Sequence, residues 1–134
     1  MSPLIWSHTC STGIQAMDDQ HGILMDTLNE LRHSLSHGGE ETVEILHRLM
    51  ALTMMHFEAE EALMARFAFP ELAVHRAEHQ RLLTQLADYS NSYASGGPSG
   101  RERTMVEFLR AWFQTHVEGM DQHYGPWLKD RGVR

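Results

Sequence analysis

The stretch HFEAEEALM, residues 56–64, decides the fold and raises the functional question. On a helix that advances about 100° per residue, His56 and Glu60 fall on the same stripe as Leu63. A buried carboxylate without a partner is costly, and a buried imidazole needs hydrogen bonds of its own. The stretch therefore predicts a helix whose core-facing side carries two polar groups that other parts of the chain must compensate.

The composition limits the class of protein. A chain of 134 residues that is 42% hydrophobic fits one core, so we expect a single domain over residues 1–134. The net charge of −7, without a cluster of Lys and Arg, argues against nucleic acid or an anionic membrane as partner. No apolar run reaches the ~20 residues that span a bilayer. The single Cys10 and the start MSPLIWSHTC, which lacks the features of a secretory signal, lead us to expect a cytoplasmic protein.

Four long segments carry the helical period and none alternates like a strand, so the chain is predicted to be all-α. We expect helices over about 18–37, 41–67, 70–94 and 101–120. The clearest break between them is the loop SGGPSG at 95–100. Short connections make consecutive helices antiparallel, which predicts an up-down-up-down four-helix bundle over about 18–120. Residues 1–16 are predicted to form an arm, and about 121–134 a short tail beginning near Gly125-Pro126.

Five of the ten histidines fall on apolar helical stripes, and the other five lie on polar faces or outside the regular segments. One inward histidine is usually a core residue bonded to a carbonyl or a water. Five that converge on one bundle interior favour a metal site instead, since imidazole and carboxylate together suit Zn, Fe, Cu or Mn. The inward histidines are His21, His56, His75, His79 and His116.

Two predicted helices carry ligand-like pairs four residues apart, His56 with Glu60 and His75 with His79. This spacing places both side chains on one helix face, about 5–6 Å apart at Cβ. A bound cation would also make the buried Glu60 tolerable. Glu78 points away from the line through His75 and His79, so we expect it to be solvated or to support a neighbouring ligand. For similar reasons two further acids are expected to face solvent, Glu58 and Glu61.

Four motifs together resemble the hemerythrin family, and within it the single-domain bacterial form. They are DDQH at 18–21, HFEAEE at 56–61, HRAEH at 75–79 and WFQTHVEGMD at 112–121, and Trp6 and YGPWL at 124–128 also fit. The resemblance implies an antiparallel four-helix bundle with a non-haem di-iron centre, in which an oxo or hydroxo bridge joins two iron ions (Fe2+/Fe3+). It implies that one iron is held by His21 and His56. The other iron would be held by His75, His79 and His116. Both irons would be bridged by Glu60 and Asp121.

Asp121 is the one implied ligand that helical spacing does not favour. It follows His116 by five residues, which is about 140° past alignment on a regular helix. An inward Asp121 requires a widened π-type turn or a frayed end, and Gly119 lies where the backbone could yield. The alternative, which spacing alone favours, is that Asp121 solvates the helix end. The resemblance favours the inward position.

The implied ligands suggest a function. If both irons are six-coordinate, the five imidazoles, two bridging carboxylates and one oxo bridge leave one position open, on the iron held by His21 and His56. The resemblance implies reversible O2 binding there, for oxygen delivery, storage or sensing, and not catalysis. Apolar residues near the ligands are expected to line a dry pocket that restricts water: Leu24, Leu28, Phe57, Met64, Trp112 and Val117.

Other functions are weighed against this one. A ferritin-like oxygenase or ferroxidase is disfavoured, because such sites use Glu-x-x-His pairs three residues apart. Peroxide turnover at the same centre is left open by the spacing, and so is a redox or O2 sensor module, although no signalling domain is visible. A metal-free helical adaptor is disfavoured because nothing would neutralise the buried acids and histidines. No protein partner is indicated.

Overall fold

The computed structural model describes residues 10–96 and 102–134. The helices are α1 (Gln15–Ser36), α2 (Thr42–Arg66), α3 (Leu72–Gly96), α4 (Glu102–Thr115) and α5 (Asp121–Lys129), with a π-helical turn (His116–Met120) joining the last two. Residues 1–9 of the predicted arm, including Trp6, and residues 97–100 of the predicted loop lie outside the described part.

The helices form the predicted antiparallel four-helix bundle. Helix α1 packs against α2 and α4, and α3 packs against the same two helices, which closes a ring of four. The α1–α2 and α2–α3 connections, 37–41 and 67–71, are too short for anything but a reversal of direction. The all-α prediction is confirmed, and the described residues contain no strand.

Helix ends follow the expected turn chemistry. Helix α1 stops where Gly38 takes a φ of +100°, as the Gly38-Gly39 pair predicts. Helix α2 ends in a similar left-handed turn, with Ala68 at a φ of +57° and the Phe69 N–H donating to the Met64 carbonyl at 2.8 Å. Pro70 precedes α3 in this connection instead of starting the helix.

The fourth helix is longer than the sequence suggests. Thr115, Met120 and Asp121 all have right-handed helical backbone angles, so α4, the π-helical turn and α5 form one continuous helix. Gly125 and Pro126 lie inside α5 rather than at the start of a tail. The reason for the glycine is close packing, because a Cβ there would lie 2.2 Å from the carbonyl oxygen of Thr12.

Two apolar clusters fill the bundle. The larger includes Leu24, Leu28 and Phe57, and the smaller consists of Ile14, Met17, Met64, Phe69, Tyr124 and Leu128. The inward histidines contact aromatic rings of both clusters. The ring centres of Phe57 and His79 are 3.7 Å apart, and those of Tyr124 and His75 are 5.6 Å apart. The polar site thus lies between two apolar layers. Within the described residues, every helix is too short or too polar to cross a membrane.

Candidate metal centre

The structure brings together all seven residues that the resemblance implies as ligands. They come from all four helices of the bundle, and each side chain is at most 4% exposed. Charged and polar groups are rarely buried so completely unless they are paired or bind a metal. The seven are His21, His56, Glu60, His75, His79, His116 and Asp121.

Glu60 divides its two carboxylate oxygens between histidines of different helices. Its Oε2 lies 2.9 Å from Nε2 of His56 and 3.3 Å from Nε2 of His21. Its Oε1 lies 3.1 Å from Nε2 of His79. The two oxygens therefore face opposite halves of the cluster.

Asp121 is divided in the same way. Its Oδ1 lies 2.9 Å from Nε2 of His75 and 3.0 Å from Nε2 of His116, and its Oδ2 lies 3.0 Å from Nε2 of His21. The π-helical turn makes this possible, because it takes up one extra residue between His116 and Asp121 and turns the carboxylate inward. The widened turn that an inward Asp121 requires is confirmed.

The donor atoms fall into two groups that could each hold a cation, with all donors of a group within 4.8 Å of one another. The two-histidine group contains His21 and His56, with Glu60 and Asp121. The three-histidine group contains His75, His79 and His116, with Glu60. Asp121 also lies close to this group through its Oδ1.

The chemistry of these donors fits metal ions better than it fits hydrogen bonds alone. Oε1 of Glu60 and Oδ2 of Asp121 form no hydrogen bond, although an imidazole nitrogen lies within 3.1 Å of each. Short contacts without hydrogen-bond geometry are expected where several donor atoms are directed at one shared ion. Spacings near 3 Å are also those of adjacent donors on one ion with bonds of about 2.1 Å.

The electrostatics show how strongly the cluster attracts positive charge. Burial alone would lower the pKa of His21, but the close carboxylates of Asp121 and Glu60 outweigh it and raise that pKa to about 10. Burial and the charge of Glu60 act to raise the pKa of Asp121, yet nearby imidazoles, first that of His116, outweigh both and lower it. The carboxylates thus stay ionised and need compensating cations, which are protons or metal ions.

Three further residues contact the cluster in ways that the sequence did not predict. Gln20 lies with its Oε1 2.6 Å from Nδ1 of His56, and Tyr124 donates its hydroxyl to Oε2 of Glu60 at 2.9 Å. Burial first, then the charge of Glu60, raises the pKa of Tyr124, so its hydroxyl remains a donor. The third is Glu61, for which the expectation of a solvent-facing side chain is wrong.

Glu61 is 21% exposed and turns one oxygen inward. Its Oε2 accepts a hydrogen bond from Nδ1 of His79 at 2.8 Å. Glu58 is exposed, as expected. Glu78 pairs with Arg81 at 3.5 Å near the surface, which agrees with the expectation of a solvated carboxylate.

An apolar cavity of about 30 Å³ adjoins the cluster. This exceeds the roughly 10–15 Å³ that one water needs, so the cavity admits a diatomic molecule. It borders both histidines of the two-histidine group but only His116 of the other. Five of the six expected lining residues line it, whereas Met64 packs in the smaller apolar cluster, so that expectation is wrong for Met64.

Comparisons with known proteins find relatives in both sequence and structure. The model of the hemerythrin HHE cation binding domain family matches residues 12–128. A bacteriohemerythrin of Ralstonia nicotianae is 31% identical over 132 residues, covering 98% of this chain and 93% of the relative. Another, of Methylococcus capsulatus, is 30% identical over 118 residues, covering 87% and 89%. A crystal structure of wild-type hemerythrin aligns with a TM-score of 0.86 and 28% identity, covering 93% of this chain and 97% of that one.

Proposed function

The chain belongs to the hemerythrin family, and on this premise we propose that it binds O2 reversibly at two iron ions held between its four helices. In the proposed centre each histidine group would hold one iron, and an oxo or hydroxo bridge would join the two. Glu60 and Asp121 would each offer one carboxylate oxygen to each ion. Oxygen delivery, storage or sensing in the cytoplasm would each use this property, and the cytoplasmic location stays a prediction.

One observation carries the proposal: each buried carboxylate directs one oxygen to each histidine group. A carboxylate that served a single ion, or a simple ion pair, would have no reason to divide its oxygens. Here Glu60 and Asp121 do so independently, from different helices. This arrangement supports two ions rather than one.

The side chains around the cavity favour binding over turnover. Irons held by these residues would supply the electrons and the metal atom that O2 binding requires. The cavity adjoins the two-histidine group, and in the described chain the residues that line it, apart from the proposed ligands, are apolar except for the hydroxyl of Thr53 and the indole N–H of Trp112. Neither group is an efficient general acid for breaking the O–O bond. Apolar walls also restrict water that would compete with O2.

The test is an oxygen cycle. Iron-loaded protein, reduced without air, should develop visible absorption when O2 is admitted and lose it under vacuum, over repeated cycles. Protein loaded with Zn2+, which has no redox chemistry, is the control and should show no band. Irreversible oxidation on the first exposure, with steady consumption of an added reductant, would favour an enzyme instead.

A cavity-filling variant locates the binding position. Leu28 lines the cavity, and Leu46 is buried in the same apolar cluster without lining it. Leu28→Phe should weaken O2 binding without changing iron content, while Leu46→Phe should leave O2 affinity unchanged. Both substitutions add the same volume to the core and are expected to cost up to about 1–3 kcal/mol of stability, so Leu46→Phe is the control for overpacking. Equal O2 affinities in the two variants would place O2 elsewhere.

A further inference from the structure

The two histidine groups differ in the hydrogen-bond partner of an outer imidazole nitrogen, the Nδ1 that faces away from Glu60. Nδ1 of His79 donates to a carboxylate oxygen of Glu61 at 2.8 Å, whereas Nδ1 of His56 donates to the amide oxygen of Gln20 at 2.6 Å. In both rings the outer nitrogen thus carries the proton. In a neutral ring Nε2 would then be the nitrogen free to bind a metal, and it lies 3.1 Å from Oε1 of Glu60 in His79 and 2.9 Å from Oε2 of Glu60 in His56.

Glu61 is itself held in place. Its Oε1 accepts a hydrogen bond from Nε of Arg76 at 3.2 Å, so the carboxylate spans from a surface arginine to a fully buried imidazole. Phe57 stacks on His79 with ring planes 2° apart and fixes the plane of the imidazole. The Glu61 hydrogen bond then fixes the direction of Nε2 within that plane.

We propose that Glu61 is a positioning residue, anchored by Arg76, that makes the three-histidine group the tighter and more easily oxidised half of the centre. A hydrogen bond to a charged acceptor is roughly twice as strong as one to a neutral acceptor. A carboxylate behind a metal-bound imidazole also makes the imidazole a better electron donor, which stabilises the higher charge of an oxidised metal. Gln20 lacks this charge. The inference rests on the proposed ligands, but it does not depend on O2 binding.

The first experiment measures metal affinity alone. The full chain is titrated with Co2+ in competition with a chelator, and the two binding events are followed by visible absorption. Glu61→Ala should weaken one of the two events about 10–100-fold, the usual effect of losing such a supporting group. Glu61→Gln, which keeps an acceptor without the charge, should weaken the same event less. Glu58→Ala, an exposed glutamate on the same helix, is the matched control and should change neither event.

The second experiment moves the charge from one group to the other. In iron-loaded protein, Glu61→Gln should raise the reduction potential of one iron, and Gln20→Glu should lower that of the other. A role confined to local packing would not shift two potentials in opposite directions, because both substitutions nearly preserve shape. Arg76→Ala should act like a weaker form of Glu61→Ala.

The outcomes separate this inference from the proposed function. Unchanged Co2+ affinities and potentials in Glu61→Gln and Glu61→Ala would overturn the inference, even if O2 binding is reversible. Should Glu61→Ala fail to fold, the near-isosteric Glu61→Gln decides. A Glu61-dependent pair of metal sites without reversible O2 uptake would refute only the proposed function, and failure to bind two Co2+ ions would refute both.

Discussion

Helix α2 and the fourth helix each supply a buried histidine and a buried carboxylate to the cluster, but they do so with different backbones. On α2, His56 and Glu60 are four residues apart on a regular helix. On the fourth helix, His116 and Asp121 are five residues apart across a π-helical turn. Both carboxylates end up buried between the same two histidine groups. The difference shows that the site fixes positions in space, and that the backbone adapts where the sequence spacing does not match a regular helix.

The adaptation on the fourth helix is supported by specific contacts. The backbone N–H of Asp121 reaches the carbonyl of His116, five residues back, which defines the wide turn. The side-chain amide of Gln122 donates to the Val117 carbonyl at 3.0 Å. Beyond the turn, α5 buries Tyr124 completely. Such single wide turns inside α-helices are frequent at functional sites.

If the two carboxylates are equivalent despite their different backbones, removing the charge of either should have the same effect. Glu60→Gln and Asp121→Asn preserve shape, and each should abolish tight binding of the metal pair. At a metal concentration 100 times its Kd, the wild-type protein should gain about 2.7 kcal/mol of unfolding free energy, and each variant close to none. The measurement is chemical unfolding with and without metal.

A wild-type metal response in Asp121→Asn alone would break the comparison, since it would leave Asp121 as a residue that only solvates the turn. Glu58→Gln on α2 serves as the control for loss of an acidic charge, because Glu58 is exposed. Its metal response should equal that of the wild type.

The second prediction concerns the contact that positions α5. A Cβ on Gly125 would lie 2.2 Å from the carbonyl oxygen and 3.0 Å from the carbonyl carbon of Thr12, both of them backbone atoms. Gly125→Ala should therefore push α5 away from the chain at Thr12 and cost about 1–3 kcal/mol of stability or more. Because α5 begins at Asp121, metal affinity should also fall. Thermal unfolding and Co2+ titration measure the two effects, and wild-type values in both would show that this contact does not position α5.

The inward position of the polar pair on α2 could be predicted from the sequence because its spacing matches the helical period. Residues His56 and Glu60 share the stripe that the apolar residues define, so periodicity alone shows that they face the core. The same argument identified the other inward histidines and the bundle itself, and all five are buried in the structure.

The inward position of Asp121 could be expected only from the resemblance, because the rotation of about 100° per residue holds only on a regular helix. The sequence also holds a second signal: Tyr124 and Leu128 follow Asp121 by three and seven residues, so all three lie on one stripe of a regular helix that begins at Asp121. All three are fully buried. A stripe that restarts out of phase with His116 indicates one extra residue between the two, which is what the π-helical turn provides.

Gln20 and Glu61 could not be predicted in this way. Gln20 precedes His21 and Glu61 follows Glu60, so the Cα–Cβ bond of each points away from the line of the proposed ligands. Only the length of the side chain brings its oxygen back to an imidazole on a neighbouring helix. Contacts of this kind depend on the distance between helices, which periodicity does not give.

The third prediction tests the contact that completes the wide turn. Gln122→Ala removes the hydrogen bond to the Val117 carbonyl and should cost about 0.5–1.5 kcal/mol. Gln114→Ala, at an exposed position of α4, makes the same change of helix propensity and is the control. The difference in unfolding free energy between the two variants reports the hydrogen bond. No difference would mean that the turn is held by Asp121 and α5 without Gln122.

The smallest expected effect distinguishes two explanations of the turn itself. Gly119 lies within it, so the turn could depend on the freedom of glycine, but its φ is not positive and a Cβ there would meet no atom within 4 Å. Gly119→Ala should therefore stabilise the protein by about 0.5–1 kcal/mol, as it would in any exposed helix, and leave Co2+ affinity unchanged. Destabilisation with weaker metal binding would mean that the backbone yields only because residue 119 is glycine. The expected result would instead show that the turn is caused by contacts on either side of it. These are the contacts of Asp121 with the histidines and the burial of Tyr124 in α5.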